Sequence, residues 1–179
     1  MALLTRLTID DFEKLPQADV ENRELVDGEL VDVSGNTLGL NCLRDLIVEL
    51  LQPVVRTGKL GRIIAEQEYD FDGNAHGPDV SFVSLAKLPL LSRRLRVQRL
   101  VPDLAVEIVS QNDTFESLTK KAHRYRDCGA KEVWILSIET REAYLFSDQR
   151  RAILDEDQPF QSALIPGFSI RLGDLFDRI

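Results

Sequence analysis

The sequence predicts an α/β fold in which a mixed sheet is flanked by helices, with a β-hairpin near the N-terminus. Three observations predict it. Short apolar runs of strand length stand at "GRIIAEQEYDF" (61–71), "PDVSFV" (78–83) and "DLAVEIV" (103–109), separated by turns or loops. Two longer stretches, 39–55 and 113–129, carry apolar residues at three- and four-residue steps, the period of one buried helical stripe. The succession of strand 103–109, helix 113–129 and a further strand from Lys131 implies a right-handed crossover.

Each element has its own local reason. Thr8, followed by acids in the next turn, reads as the N-cap of a short, peripheral helix that stops at Pro16. In "RELVDGELVDV" (23–33), apolar runs flank Asp27-Gly28, the turn pair that lets a two-residue hairpin follow strand twist. Leu40, Leu43, Ile47, Leu50 and Leu51 form the stripe of a helix from Gly39 that ends near Pro53. After the three strands, Asp113 or Thr114 caps a second helix, with Glu116 in its first turn and Gly129 at its end. "KEVWILSIETREAYLF" (131–146) reads as strand, turn and strand with the bend at "ETR". The final stretch turns at Pro166-Gly167 and closes in a short helix carrying Leu172, Leu175, Phe176 and Ile179.

With 179 residues, 44% hydrophobic and 29% charged, the chain is expected to be one domain spanning 1–179. No apolar run reaches the roughly 20 residues of a membrane helix, and "MALLTRLTID" lacks the layout of a signal peptide, so a soluble, cytoplasmic protein is expected. Cys42 and Cys128 form no CxxC pair and read as core or boundary thiols. A net charge of -8 argues against a tight, obligate nucleic-acid binder, because neutralising phosphates takes clustered Lys and Arg. Any DNA contact must be local.

Two Pro-Asp pairs, Pro78-Asp79 and Pro102-Asp103, open apolar strands, and the second strand holds a lone carboxylate, Glu107, among Leu104, Ala105, Val106, Ile108 and Val109. An unpaired buried carboxylate costs several kcal/mol, so Glu107 must meet a cation, hydrogen bonds or a wet cleft; a plain salt bridge would serve. Pro78 cannot donate to a ladder and marks a strand's first position, which leaves Asp79 near the end of the sheet, where it could also simply cap a turn. If the strands pair, Asp79 and Glu107 can converge, and two carboxylates suffice for a hard cation such as magnesium. At 100° per residue, Phe115, Leu118, Ala122 and Tyr125 share a helical stripe, Lys121 lies at its flank and Lys120 points away. Lys121 thus leans toward the sheet, either as a partner of these acids or as a lysine whose stem covers the stripe's border.

On Asp79 in "PDV", Glu107 in "EIV" and Lys121 in "KAHRYRDCG", the chain resembles a PD-(D/E)XK nuclease core, specifically the Uma-type "putative restriction endonuclease" family abundant in cyanobacteria. "RELVDGELVDVSG", "GPDVSFV", "DLAVEIVSQNDT", "KKAHRYRDCGAKEVWIL" and "IPGFSIRLGDLF" resemble its segments in its order. The resemblance implies a restriction-endonuclease-like fold, magnesium- or manganese-dependent hydrolysis of DNA phosphodiester bonds, and a homodimer. It makes Asp79 and Glu107 the metal-binding acids. The lysine two residues after the acid is replaced by Val109, and Lys121 takes its place from the following helix. Glu24 in "RELVDG" matches a recurring glutamate and becomes a third acid of the site, or a charge at the hairpin edge. Asn41 or a neighbour stands where relatives often carry a histidine.

Glu66 or Gln67 could support the site, with Glu66 a metal candidate, although "AEQEYDF" also reads as a half-exposed strand. Arg93, Arg94, Arg96 and Arg99 in "SRRLRVQRL" could meet DNA phosphates, or form a solvated basic face or a dimer contact. The main alternative is a catalytically inactive nuclease fold serving as a binding or assembly module. A hydrolase of another type is disfavoured, since there is no GxSxG elbow and neither His76 nor His123 has a local nucleophile or ligand arrangement.

Overall fold

A computed structural model describes residues 6–33, 37–111, 113–148 and 151–179. Helix α1 (Ile9–Lys14) begins at Thr8, whose side chain accepts the Asp11 N–H while the Asp11 carboxylate accepts the Thr8 N–H at 3.0 Å. A one-turn α2 (Gln17–Val20) follows, then the hairpin of β1 (Arg23–Val26) and β2 (Glu29–Asp32). Its turn has Asp27 and Gly28 at φ 51° and 82°, the left-handed pair that a two-residue hairpin of this twist requires. The expected peripheral placement of α1 does not hold. Ile9 and Phe12 are buried with Val20, Leu25, Ala75 and Val97 in a small core of their own, because the hairpin's inner face needs a cover.

Helix α3 (Leu38–Thr57) does not end near Pro53 but runs through it. Proline removes one hydrogen bond there, yet the apolar stripe continues from Leu51 to Val55, both buried, and that packing holds the last turn in place. Cys42 lies off the stripe and is exposed, unlike the boundary-to-core position expected of it. The stretch 61–71, expected as one strand, is two: β3 (Gly61–Ala65) and β4 (Glu68–Phe71). Glu66 sits at φ 51°, and that reversal sends the two halves into different sheets. A second Asp-Gly turn, Asp72-Gly73 at φ 55° and 81°, then leads into β5 (Asn74–His76).

The remaining elements are β6 (Val80–Ser84), β7 (Val97–Gln98), β8 (Leu104–Ile108), α4 (Phe115–Asp127), β9 (Glu132–Ser137), β10 (Glu142–Ser147), β11 (Arg151–Leu154), β12 (Pro159–Gln161), β13 (Ser169–Arg171) and α5 (Leu172–Phe176). Helix α4 is capped by Thr114, with Ser117 rather than Glu116 closing the box, and Gly129 takes φ 107° just past its end. Phe115, expected on its buried stripe, is 69% exposed: it is the first helical residue, and its ring lies 5.8 Å from that of Tyr144.

One sheet runs β2-β1-β5-β4-β7 and a second β11-β10-β9-β8-β6-β3, with β12-β13 as a separate pair. Strands β8 and β9 are parallel and joined through α4, as the strand-helix-strand order predicts. Helix α3 and the C-terminal segment cover one face of the six-stranded sheet, with Trp134, Phe160, Phe168 and Phe176 in that core. Helix α4 covers the other through Leu118, Ala122 and Tyr125, packed with Val83, Ala105, Val133 and Ile135. Every residue of β8 is buried, so Glu107 is a carboxylate inside the molecule.

Candidate active site

Strands β6 and β8 are antiparallel, with Val80 opposite Val106 and Ser81 opposite Ala105. Carried one residue further, that register sets Asp79 opposite Glu107, and directly opposed side chains stand on one face about 5 Å apart at Cβ. The Ile108 N–H donates to Asp79 Oδ2 at 2.7 Å, which anchors the carboxylate at this point. The helix that follows β8 returns over the same face. Its Lys121 places Nζ 3.1 Å from Glu107 Oε2 and 3.0 Å from Glu24 Oε1. One turn later the Tyr125 hydroxyl donates to Glu107 Oε1 at 2.7 Å. Asp79, Glu107, Lys121 and Glu24, named from the sequence, therefore meet in one cluster.

Residues 9–173 match a family profile, Uma2, described as "Putative restriction endonuclease". The chain belongs to this family. A solved structure described as a putative nuclease belonging to DUF820 from Anabaena variabilis ATCC 29413 shares the fold, with a TM-score of 0.85 over 96% of this chain and 98% of that one. The two are 19% identical, so that likeness shows the fold alone. No curated protein matches the chain.

In this family member the cluster is assembled from both large sheets. Glu24 comes from β1, and its Oε2 is bound by His76 Nδ1 at 2.8 Å while Oε1 accepts the Gly77 N–H at 3.1 Å. His76 Nε2 lies 3.4 Å from Arg124 Nη1, and Arg124 Nη2 reaches Asp27 at 3.3 Å. A guanidinium only donates, so Nε2 accepts and the proton sits on Nδ1, donated to Glu24. Phe71 stacks on Tyr125 with ring centres 4.1 Å apart and closes the cluster from the side of β4.

Burial pushes the Glu107 carboxyl up to about 7; Lys121 pulls against this, and the charges of Asp79 and Glu24 add to it. Burial likewise raises Asp79 to about 6, against the Ile108 N–H and Lys121. Glu24 goes the other way: burial alone would raise it, but Lys121 and the His76 bond hold it down at about 2. Burial works against the charge on Lys121, yet Glu107 and Glu24 outweigh it and raise its pKa, so the ammonium persists. His76 is held below the usual imidazole range by burial despite Glu24, and is neutral. Two neighbouring carboxyls thus both resist ionisation, chiefly because burial strips them of water.

That donor set suits a hard divalent cation. Asp79 Oδ1 accepts no hydrogen bond among the described residues, and each Glu107 oxygen keeps a lone pair beyond its single partner. Among the described residues no three His, Cys, Asp or Glu side chains enclose a metal by themselves. The arrangement matches a cation held by two carboxylates, with water and substrate completing its shell, as magnesium commonly is.

Other residues named from the sequence are used differently. Glu66 is gripped by Arg44 of α3 at 2.5 Å and is half exposed; its N–H donates to the Asp79 carbonyl at 3.1 Å, and its charge is one of those that raise Asp79. Gln67 turns to the loop before β7, donating to the Arg96 carbonyl at 2.5 Å and to that of Glu68 at 3.0 Å. Arg96 and Arg99 are each paired with an acid. Pairing of β7 with β4 lays Arg96 on Glu68 at 2.7 Å and over the Phe12 ring, and Arg99 on Asp10 at 2.5 Å, so both tie α1 to the sheet. Arg93 and Arg94 are exposed and have no ion pair among the described residues. The second Pro-Asp pair is structural: fully buried Asp103 accepts the Ser84 N–H at 2.9 Å and sits between Lys87 at 3.2 Å and Lys131 at 3.1 Å.

His76, Tyr125 and Arg44 escape sequence reasoning. Tyr125 carries a signal, four residues after Lys121 and so on the same side of α4. His76 carries none, because its partner Glu24 is 52 residues away. Tyr125→Phe is expected to cost about 1–3 kcal/mol, the penalty of a charged buried acceptor losing its donor. Since the hydroxyl lowers the Glu107 pKa, the variant's Glu107 should titrate at higher pH; carboxyl-selective NMR would read this, and an unchanged titration would remove the bond from the account.

Proposed function

We propose that this Uma2-family chain is a metal-dependent endonuclease that hydrolyses DNA phosphodiester bonds at the cluster of Asp79, Glu107 and Lys121. The observation that carries it is the register of β6 and β8, which brings two buried carboxylates side by side with a charged lysine against one of them. Asp79 and Glu107 would hold magnesium or manganese. Such an ion supplies charge for the phosphate and lowers the pKa of a bound water. Lys121, protonated across the working range, is no general base; it contributes fixed positive charge that orients the attacking water or offsets charge building on the phosphate. Glu24, tied down by His76 and the Gly77 N–H, positions the lysine. Glu66 acts through Arg44 rather than as a direct ligand.

The test is nicking of supercoiled plasmid by purified protein with magnesium or manganese, beside the same reaction in EDTA. Nicking that needs the metal supports the proposal. A protein that binds DNA or a partner but cleaves no form of DNA with either metal is the inactive binding or assembly module instead.

The carboxyl shifts predict how the metal acts on stability. Asp79 and Glu107 have folded pKa values raised above 3.8 and 4.5, so their favourable contribution is present below about pH 4 and is lost as pH rises through about 6 and 7. Added metal should therefore raise the melting temperature little at pH 5, where it competes with protons, and most above pH 7. Calorimetry with and without manganese checks this; a shift independent of pH would place the metal elsewhere.

A further inference from the structure

A groove of about 430 Å³ lies between edge strand β3 and the loop before β7, lined by Arg62, Ile64, Gln67, Leu88, Leu91 and Arg93 among others. We propose that it is the track of the cleaved nucleic-acid strand, with Arg62 and Arg93 holding phosphates a few nucleotides from the scissile bond. This rests on the nuclease reading above.

The register places the groove on the correct face. Ile64 is paired with Ser81 and Arg62 with Val83, and Asp79, Ser81 and Val83 alternate on one face of β6. Glu66, at the near end of β3, donates its N–H to the Asp79 carbonyl. Arg62 is four residues further along, about 13 Å of strand, equivalent to three or four nucleotides of duplex rise.

Charge supports the same assignment. Arg62 and Arg93 are exposed and have no ion pair among the described residues, whereas Arg96 and Arg99 are spent on acids. The Arg93 loop is also built rather than loose. Buried Gln98 accepts the Ser92 N–H at 2.8 Å and donates to the carbonyls of Ser92 at 2.9 Å and Leu95 at 2.7 Å, while Gln67 holds the Arg96 carbonyl. Two guanidiniums on fixed backbone across one groove meet a phosphate chain at low ordering cost. Contact confined to one groove is also the kind that a chain of net charge -8 allows.

The experiment is fluorescence anisotropy of a labelled oligonucleotide, single-stranded and duplex, in EDTA over a series of salt concentrations, with plasmid nicking run in parallel. R62A/R93A should bind at least about tenfold more weakly than wild type, and its salt dependence should flatten by about 1.4–1.8, the loss of two phosphate contacts. R62K/R93K should regain part of the slope. R178A, an exposed arginine after α5 on the far side, should match wild type. Equal affinity and slope for R62A/R93A and wild type, with wild type still nicking, would overturn the groove and leave the nuclease intact. Wild type that neither binds nor nicks would overturn both.

Discussion

Asp79→Asn is expected to lower metal-dependent nicking by at least about a hundredfold and, in the same protein, to raise the melting temperature without metal. The activity loss follows from removing one of two ligands for a cation whose contribution is several kcal/mol, at about 1.4 kcal/mol per factor of ten. The stability gain follows from the cost of the carboxylate itself. Desolvation is the first reason Asp79 is pushed up to about 6, and at pH 8 the folded protein bears that penalty while the unfolded chain does not. Asparagine is nearly isosteric and its carbonyl oxygen can still accept the Ile108 N–H, so the gain should be about 1–2 kcal/mol, a few degrees of melting temperature. Opposite movements of activity and stability mark a residue kept for function. A variant that nicks like wild type would remove Asp79 from the site, and one that melts lower would make the carboxylate structural.

Lys121→Met is expected to be the more damaging change to the fold. The lysine is shared by Glu24 and Glu107, both nearly inaccessible, and its removal leaves two buried acids facing each other. Breaking a buried ion pair from one side typically costs about 3–5 kcal/mol, about 10 °C for a chain of this length. Methionine keeps the apolar stem, so packing along α4 changes little. The variant should also acquire a new pH dependence. With the cation gone, Glu24 joins Glu107 above its unfolded value of 4.5, so their contribution survives below that pH and disappears as pH rises through the raised folded values. The gap to wild type should be widest at pH 8 and narrow toward pH 5. Adding Glu24→Gln should recover part of the loss, with a coupling of about 1–3 kcal/mol. Equal melting of Lys121→Met and wild type at pH 8 would mean that the ammonium is held by solvent rather than by the two acids.

Much of the fold and part of the cluster were legible because their signals are local. Asp27-Gly28 encodes its turn in two residues, and α4 carries its cap, stripe and terminal glycine within 16. Asp72-Gly73 is the same signal as Asp27-Gly28, but the unbroken run of strand formers before it masks the reversal at Glu66. The rule for proline misplaced the end of α3, since a buried stripe through Val55 outweighs one missing hydrogen bond. In the site, Glu107 stood out as a lone carboxylate in an apolar strand, and the helical period aimed Lys121 at the sheet.

By itself, then, the sequence determined which groups had to find partners: a buried glutamate, an aspartate at a strand's start, a lysine on an inward flank. Which partners they found was decided only by the tertiary structure. Glu24 reaches Lys121 and His76 because the hairpin pairs with β5 and swings one sheet against the other, and no periodicity records a pairing between residues 52 apart. The arginine quartet was divided in the same way, Arg96 and Arg99 captured by acids on β4 and α1 while Arg93 and Arg94 were left outside. A chain's local rules set the face on which a charge emerges; the pairing of strands far apart in sequence sets what it meets there, and so whether it becomes a tie, a ligand or a free cation.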